Sequence, residues 1–239
     1  MKGIRFDGKH SYNDYGMWLN SYEVGEAEPN LKLVQIPGAD GALDFTDYFG
    51  GVTYQNREIK MQFTFTADRF GLSAAYGALQ NGINGKRMKI ILDDDKGNYY
   101  IGRVSVGALQ PDGQLGTVEV TAQCEPYRYK VNPRKVTASG ETRFSLESGS
   151  TFIHATVSNS GGQPVVPVFR GSKPFYTTKT RQMSGGGIAE SYLSTTTPSP
   201  AGKDVTMPEC IVAPGASQEF GFCADGALTI TVTWQERSL

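Results

Sequence analysis

Leu31-Lys-Leu-Val-Gln-Ile36, Pro37-Gly38-Ala39-Asp40-Gly41, Leu43-Asp44-Phe45-Thr46, Tyr48-Phe49-Gly50-Gly51 and Ile59-Lys-Met61-Gln-Phe63-Thr-Phe65 follow one another within residues 31–65. The last block decides the fold class. Ile59, Met61, Phe63 and Phe65 alternate with Lys60, Gln62 and Thr64, the two-residue period of a strand with one face in a core and one in water. The blocks before it are extended pieces broken by a Pro-Gly-x-Asp-Gly turn and a Gly-Gly pair. Between those turns the chain is polar and aromatic and poorly suited to a compact core. It reads as a surface for another subunit rather than as a catalytic loop.

Similar patterns recur along the chain. Lys86–Leu92 and Tyr99–Val104 flank an Asp-Lys-Gly tip, the chemistry of a hairpin. Gly116–Ala122 alternates after a Pro111-Asp-Gly113 turn. Gly3–Phe6 and Tyr15–Leu19 read as short strands. The helical signal lies in Leu72, Tyr76, Leu79 and Ile83, whose spacing puts them on one face. Asp68 or Ser73 is expected to cap its start, and Gly85 to take the left-handed position past its end. Gly77 and Gly82 weaken it, so its stability must come from packing on a sheet. Beyond Lys130–Lys135, a polar boundary with a proline, no helical stripe is found. Phe152–Val157, Val165–Phe169 and Leu228–Trp234 read as strands, and Met183–Ile188 and Thr195–Pro200 as loops. The expectation is a mainly β protein: an N-terminal β-sandwich with one helix and an extended arm over residues 1–130, and a C-terminal β-sandwich over 131–239.

Composition narrows the chemistry. The chain has 239 residues, 29 glycines, 12 tyrosines and 12 phenylalanines, which suits many turns and β structure. A net charge of −1 gives no basic surplus for duplex DNA or an anionic membrane. Three cysteines without a Cys-x-x-Cys pair favour folding in a reducing cytosol over a disulfide framework. No apolar run suits a signal peptide or a membrane span.

Catalytic constellations are sparse. A triad or zinc site would have to be built around His10 or His154, and a structural or surface role is the better reading of both. Asp93-Asp94-Asp95 lacks the alternate spacing of a calcium loop, and its side chains should diverge from an extended backbone. Cys124 and Cys223 read as small buried hydrophobes. Phe175, Tyr176 and Tyr192 lie in expected loops, where exposed rings would serve a sugar. Trp234 lies on the apolar face of its strand. No enzyme activity and no cofactor are expected. The alternative function is a carbohydrate-binding module for cell-surface glycan.

In their order, Ile36–Asp44, the Arg57–Phe65 strand, Gly85-Lys86, Asp93–Asp95, Tyr99-Tyr100, Gly102–Val104 and Cys124-Glu-Pro126-Tyr127 resemble the distal tail protein (Dit) family of siphophages. So do Asn159-Ser-Gly161, Pro167, Pro214-Gly215 and the Leu228–Trp234 strand. The resemblance implies a tail-tube-like first domain and a galectin-like second domain. It also implies a homo-hexameric ring at the virion tail tip, made in the host cytoplasm. Such a ring joins the tail-tube protein to the tail-associated hub and carries receptor-binding protein. A second part of this size fits the short form, without an inserted carbohydrate-binding module. The segment Pro37–Tyr54, with Asp40 and the aromatics Phe45, Tyr48, Phe49 and Tyr54, is then expected to be an inter-subunit arm. Its aromatics would be the anchors, as such rings are enriched in interface cores. The other reading of the segment is a loop folded back on its own sandwich.

Overall fold

The computed structural model describes residues 2–38, 40–48, 51–66, 71–140, 150–182, 188–192 and 198–239. It divides into two compact units, Met1–Val131 and Asn132–Ser238. The first unit contains β1 (Ile4–Phe6), β2 (Lys9–His10), α1 (Ser11–Tyr15), β3 (Met17–Val24), β4 (Leu33–Gln35), β5 (Ala42–Asp44), β6 (Arg57–Thr66), α2 (Leu72–Ile83), β7 (Arg87–Leu92), β8 (Asn98–Val106), β9 (Gln110–Asp112), β10 (Leu115–Cys124) and β11 (Arg128–Lys130). The second contains β12 (Arg134–Gly140), β13 (Ser150–Ser158), β14 (Val168–Gly171), β15 (Tyr176–Gln182), β16 (Ile188–Tyr192), β17 (Val205–Thr206), β18 (Ser217–Asp225), β19 (Leu228–Trp234) and β20 (Arg237–Ser238).

The main sheet of the first unit runs β2-β1-β7-β8-β10-β6-β3, with β9 beside β10 and β11 beside β8. The β6–β10 ladder is its longest, from Arg57 opposite Cys124 to Thr66 opposite Leu115. Three strands separate β1 from β6 in this order, yet the Phe6 and Phe63 rings lie 6.4 Å apart. The sheet therefore folds over itself into two layers around one core, which Ile59, Met61, Phe63, Ile90, Val104 and Val120 fill. Burying alternate side chains of each strand in this way drives the fold.

Helix α2 packs Leu79 and Ile83 into that core, with Leu72 and Tyr76 partly covered. Its N-cap is Gly71, with no side-chain cap, so Ser73 stands inside the helix, and Asp68 lies outside the described residues. Lys86 Nζ donates to the carbonyls of Asn81 and Gly82, closing the helix end, and Gly85 takes φ = 72° beyond it. The strand expected at Tyr15–Leu19 begins at Met17, because Tyr15 ends the short α1. Here His10 is the N-cap, its ring accepting the N–H groups of Tyr12 and Asn13, and Asp14 reaches back to His10 N at 2.7 Å.

In the second unit the sheets β12-β19-β14-β17 and β13-β18-β15-β16 face each other. Phe169 of β14 meets Phe220 and Phe222 of β18, each at 5.4 Å between ring centroids, so aromatic contacts bridge the two layers. The expected loop at Met183–Ile188 is in part strand, as β16 begins at Ile188, while 183–187 lie outside the described residues. Of Thr195–Pro200, Ser199 pairs with Phe175 and residues 195–197 lie outside them.

Candidate inter-subunit arm

Residues 28–55 form a long antiparallel hairpin. At its root Gln55 N donates to Glu28 O and Asn30 N to Thr53 O, with Pro29 bridged to Tyr54. Further out, Phe45 N donates to Lys32 O, and β4 pairs with β5 from Leu33–Asp44 to Gln35–Ala42. Thr46, itself buried, pins the middle. Its hydroxyl accepts Lys32 N at 3.0 Å, and its own N–H donates to Asp44 Oδ1 at 2.8 Å. A hydrogen bond from the Thr46 hydroxyl, and then the one from its N–H, hold the Asp44 carboxyl below its usual range. At the tip Pro37 and Gly38 lie in a turn, and Gly38 and Gly41 take φ of 82° and 81°, a region that L side chains avoid.

No described residue of this hairpin belongs to the core of the first unit. Leu33 and Val34 are neighbours on one strand and so point to opposite faces, yet they are 54% and 51% exposed. Leu31, Ile36, Leu43 and Val52 are exposed as well. The ribbon thus shows apolar side chains on both faces. An isolated two-stranded hairpin is marginally stable at best in water, so such a surface calls for a partner. The hairpin is also acidic. Residues 28–55 hold four acids (Glu28, Asp40, Asp44, Asp47) and one base, Lys32, a charge of −3, which leaves +2 on the rest of the chain.

The residues expected to form the arm separate along it. Asp40 is exposed at the tip. Tyr48 is 73% exposed, and its ring stands edge-on to the half-buried Phe45 at 5.8 Å. Phe49 lies outside the described residues. Tyr54 sits at the root against Tyr127, with 6.4 Å between centroids, so it ties the arm to its own unit. The aliphatic residues Leu31, Leu33, Val34 and Leu43 escape a reading fixed on aromatics. Their signal is an apolar strand flanked by turns with no amphipathic partner strand.

The other candidates are spent on structure. His10 Nδ1 caps α1 and Nε2 lies 2.9 Å from Asp93 Oδ2, so neither nitrogen is offered to a substrate. Asp93 turns inward to His10, Arg5 and Gly3 N, Asp94 to Lys2 and Tyr22, and Asp95 to Asn98 and Arg128. The three carboxylates diverge. His154 is exposed on β13. Cys124 is buried and its thiol is pushed up to about 12, by burial against the opposing pull of Arg57, so it stays neutral. Cys223 is only half-buried. Phe175 and Trp234 lie in the second core, Tyr176 opens β15 half-buried, and Tyr192 falls in β16 rather than in a loop.

Residues 6–123, nearly all of the first unit, match the family model described as the phage tail protein RIFT-related domain. The chain is thus a structural phage tail protein. Over its whole length it is similar to the solved structure of Dit (gp 19.1) of phage SPP1, described as a paradigm of the hub adsorption apparatus in phages that infect Gram-positive hosts. The TM-score is 0.66 at 15% identity, with 98% of this chain and 99% of that one covered. At that identity the likeness is one of fold. The family match itself is to the phage tail protein domain and lies within the first unit. Coverage is near complete both ways, so neither chain carries a large inserted module relative to the other. A structure of infectious bursal disease virus, Gx strain, aligns at 13% identity over 99% of this chain and 77% of that one, but its TM-score of 0.21 carries no weight. No curated protein sequence matches this one.

Proposed function

We propose that this protein forms a homo-hexameric ring at the tail tip of a phage virion. The ring joins the tail-tube protein to the tail-associated hub and supports receptor-binding components. The first unit closes the ring, and the second is a galectin-like sandwich at its periphery. The observation that carries this reading is the 28–55 hairpin, apolar on both faces and absent from its own core. Its ten-residue reach from Glu28 to Gly38 is about 33 Å of strand. That is roughly the diameter of a domain of about 130 residues, so the arm is long enough to cross a neighbouring subunit. A head-to-tail contact of this kind closes into a ring when the rotation allows.

Asn30 and Thr53 are bonded across the hairpin, so a two-residue turn between them removes the arm with little strain. The mass of this deletion variant in solution, beside that of the full chain, tests the proposal. A hexamer for the full chain and a folded monomer for the deletion are expected. A deletion variant that still forms the hexamer would overturn the arm's role.

A further inference from the structure

The root of the arm opens onto β6, whose first residue is Arg57. Arg57 is only 7% exposed and faces the same side of the sheet as Ile59 and Met61. Its guanidinium lies over the Tyr100 ring, 5.7 Å from the centroid, and across the ladder from Cys124. Its Nε is sealed from solvent without a hydrogen-bond partner. No carboxylate among the described residues pairs with it. The acids at this end of the sheet are committed elsewhere: Glu58 to Lys60 and Gln123, Glu125 to Arg87 and Tyr129, and Asp95 to Arg128 and Asn98. The neighbouring Cys124 stays neutral and supplies no counter-charge.

A guanidinium so deeply covered, with its Nε unpaired and only an aromatic face beside it, is costly to bury, and a hydrogen-bonded anion compensates that cost best. The flat fork of arginine suits a carboxylate, which it binds through two parallel bonds. The same chain holds such a carboxylate at the far end of its acidic hairpin. Asp40 is exposed at the tip and makes no ion pair or hydrogen bond among the described residues.

Resting on the ring proposed above, we propose that Arg57 is the docking point for the arm of the next subunit and accepts the Asp40 carboxylate of a second copy. The arm, at −3, then lands on a chain that is otherwise at +2. Each subunit gives its tip to one neighbour and receives a tip at its own arm root from the other, so the contact repeats around the ring. The Arg57–Asp40 pair fixes the register of arm on body, while the apolar ribbon supplies buried area.

The test is a double-mutant cycle on self-association of the full-length chain, read by sedimentation over a dilution series. Asp40→Asn and Arg57→Met should each weaken association by about 30-fold or more, and the double variant should weaken it no further than either alone. Asp47→Asn, on the same arm, should leave association unchanged. Arg57→Lys keeps the cation and loses the fork, so it should fall between wild type and Arg57→Met. Asp40→Asn changes an exposed tip and tests the pair even if Arg57→Met folds poorly. Additive effects, or an Asp40→Asn ring as tight as wild type, would overturn the Arg57 assignment while leaving the arm intact. A hairpin deletion that still assembles, or a wild type monomeric at every concentration, would overturn the arm and this inference together.

Discussion

The ring of Tyr15 lies over Gly82 so closely that a Cβ added there would come within 2.9 Å of Tyr15 Cε1. This explains a glycine in the last turn of a helix whose stability already depends on packing. Gly77, one and a half turns earlier, has nothing within 4 Å of the same construction. Two glycines in one helix thus have opposite roles. Gly77→Ala should stabilise the first unit by about 0.5–1 kcal/mol, the helix-propensity difference. Gly82→Ala should destabilise it by about 1–3 kcal/mol, because the Tyr15 ring must shift. Urea unfolding of the two variants measures both signs.

His10 joins three parts of the first unit, capping α1, bonding Asp93 at the end of β7 and filling the space above Gly3. His10→Ala should cost about 2–4 kcal/mol, combining a lost N-cap with a buried carboxylate left short of a donor. His10→Asn keeps the cap and should recover about 1 kcal/mol of that loss. Gly3→Ala should also destabilise, since its Cβ would stand 2.5 Å from the His10 ring. Denaturant midpoints at constant slope give these values.

Acid should reduce the stability of both units through one buried carboxylate in each. Burial pushes Asp93 up, but the His10 hydrogen bond and the charges of His10, Lys96 and Arg5 outweigh it and hold the group below its ordinary 3.8. For Glu236, burial is outweighed by the Ser160 backbone and hydroxyl bonds and by Arg134, which hold it below 4.5. A folded value below the unfolded one means that the unfolded chain binds more protons in this range. The stabilisation is therefore complete above the ordinary values and is lost as pH falls through the folded ones. Asp93→Asn and Glu236→Gln should each be less stable than wild type at pH 7. The gap should close toward pH ~2. Melting curves across this range, followed separately for each unit, check the sign.

Leu33 and Tyr48 project from the arm without supporting the core. Leu33→Ser with Tyr48→Ser should leave the melting transition of the subunit within about 0.5 kcal/mol of wild type. The same pair should weaken self-association by about 10-fold or more if these side chains are interface anchors. Light scattering and calorimetry on the same samples separate the two effects.

What the sequence made legible was set by periodicity. The alternation of Ile59–Phe65 and of Leu228–Trp234 reports a buried face directly, and both segments are strands with those residues inside. Leu72, Tyr76, Leu79 and Ile83 likewise place α2 to the residue. Helix α1 was hidden because five residues hold too little pattern, and its cap is a histidine rather than the usual Ser, Thr, Asp or Asn. The His10–Asp93 bond spans 83 residues, and nothing local in either strand announces it. Phe175 sits beside Gly171, whose missing side chain leaves room for its ring, so an apparent loop aromatic is core. The arm was visible as a segment unsuited to a core. Its hairpin ladder was not, because β4 and β5 lack a buried face to impose alternation. Arg57 reads in sequence as the polar lead-in to a strand, and only its burial with an unpaired Nε sets it apart.

The pin at Thr46 and the rungs at Asn30–Thr53 and Phe45–Lys32 mean that the hairpin is already folded on the free subunit. A disordered strap of the same length would have to surrender its backbone freedom at the moment of contact, a cost on the order of tens of kcal/mol. Here that entropy is lost during folding of the chain. In the proposed ring, joining two subunits would then resemble the closing of two rigid shapes, with its speed set by encounter and orientation rather than by a search through arm conformations.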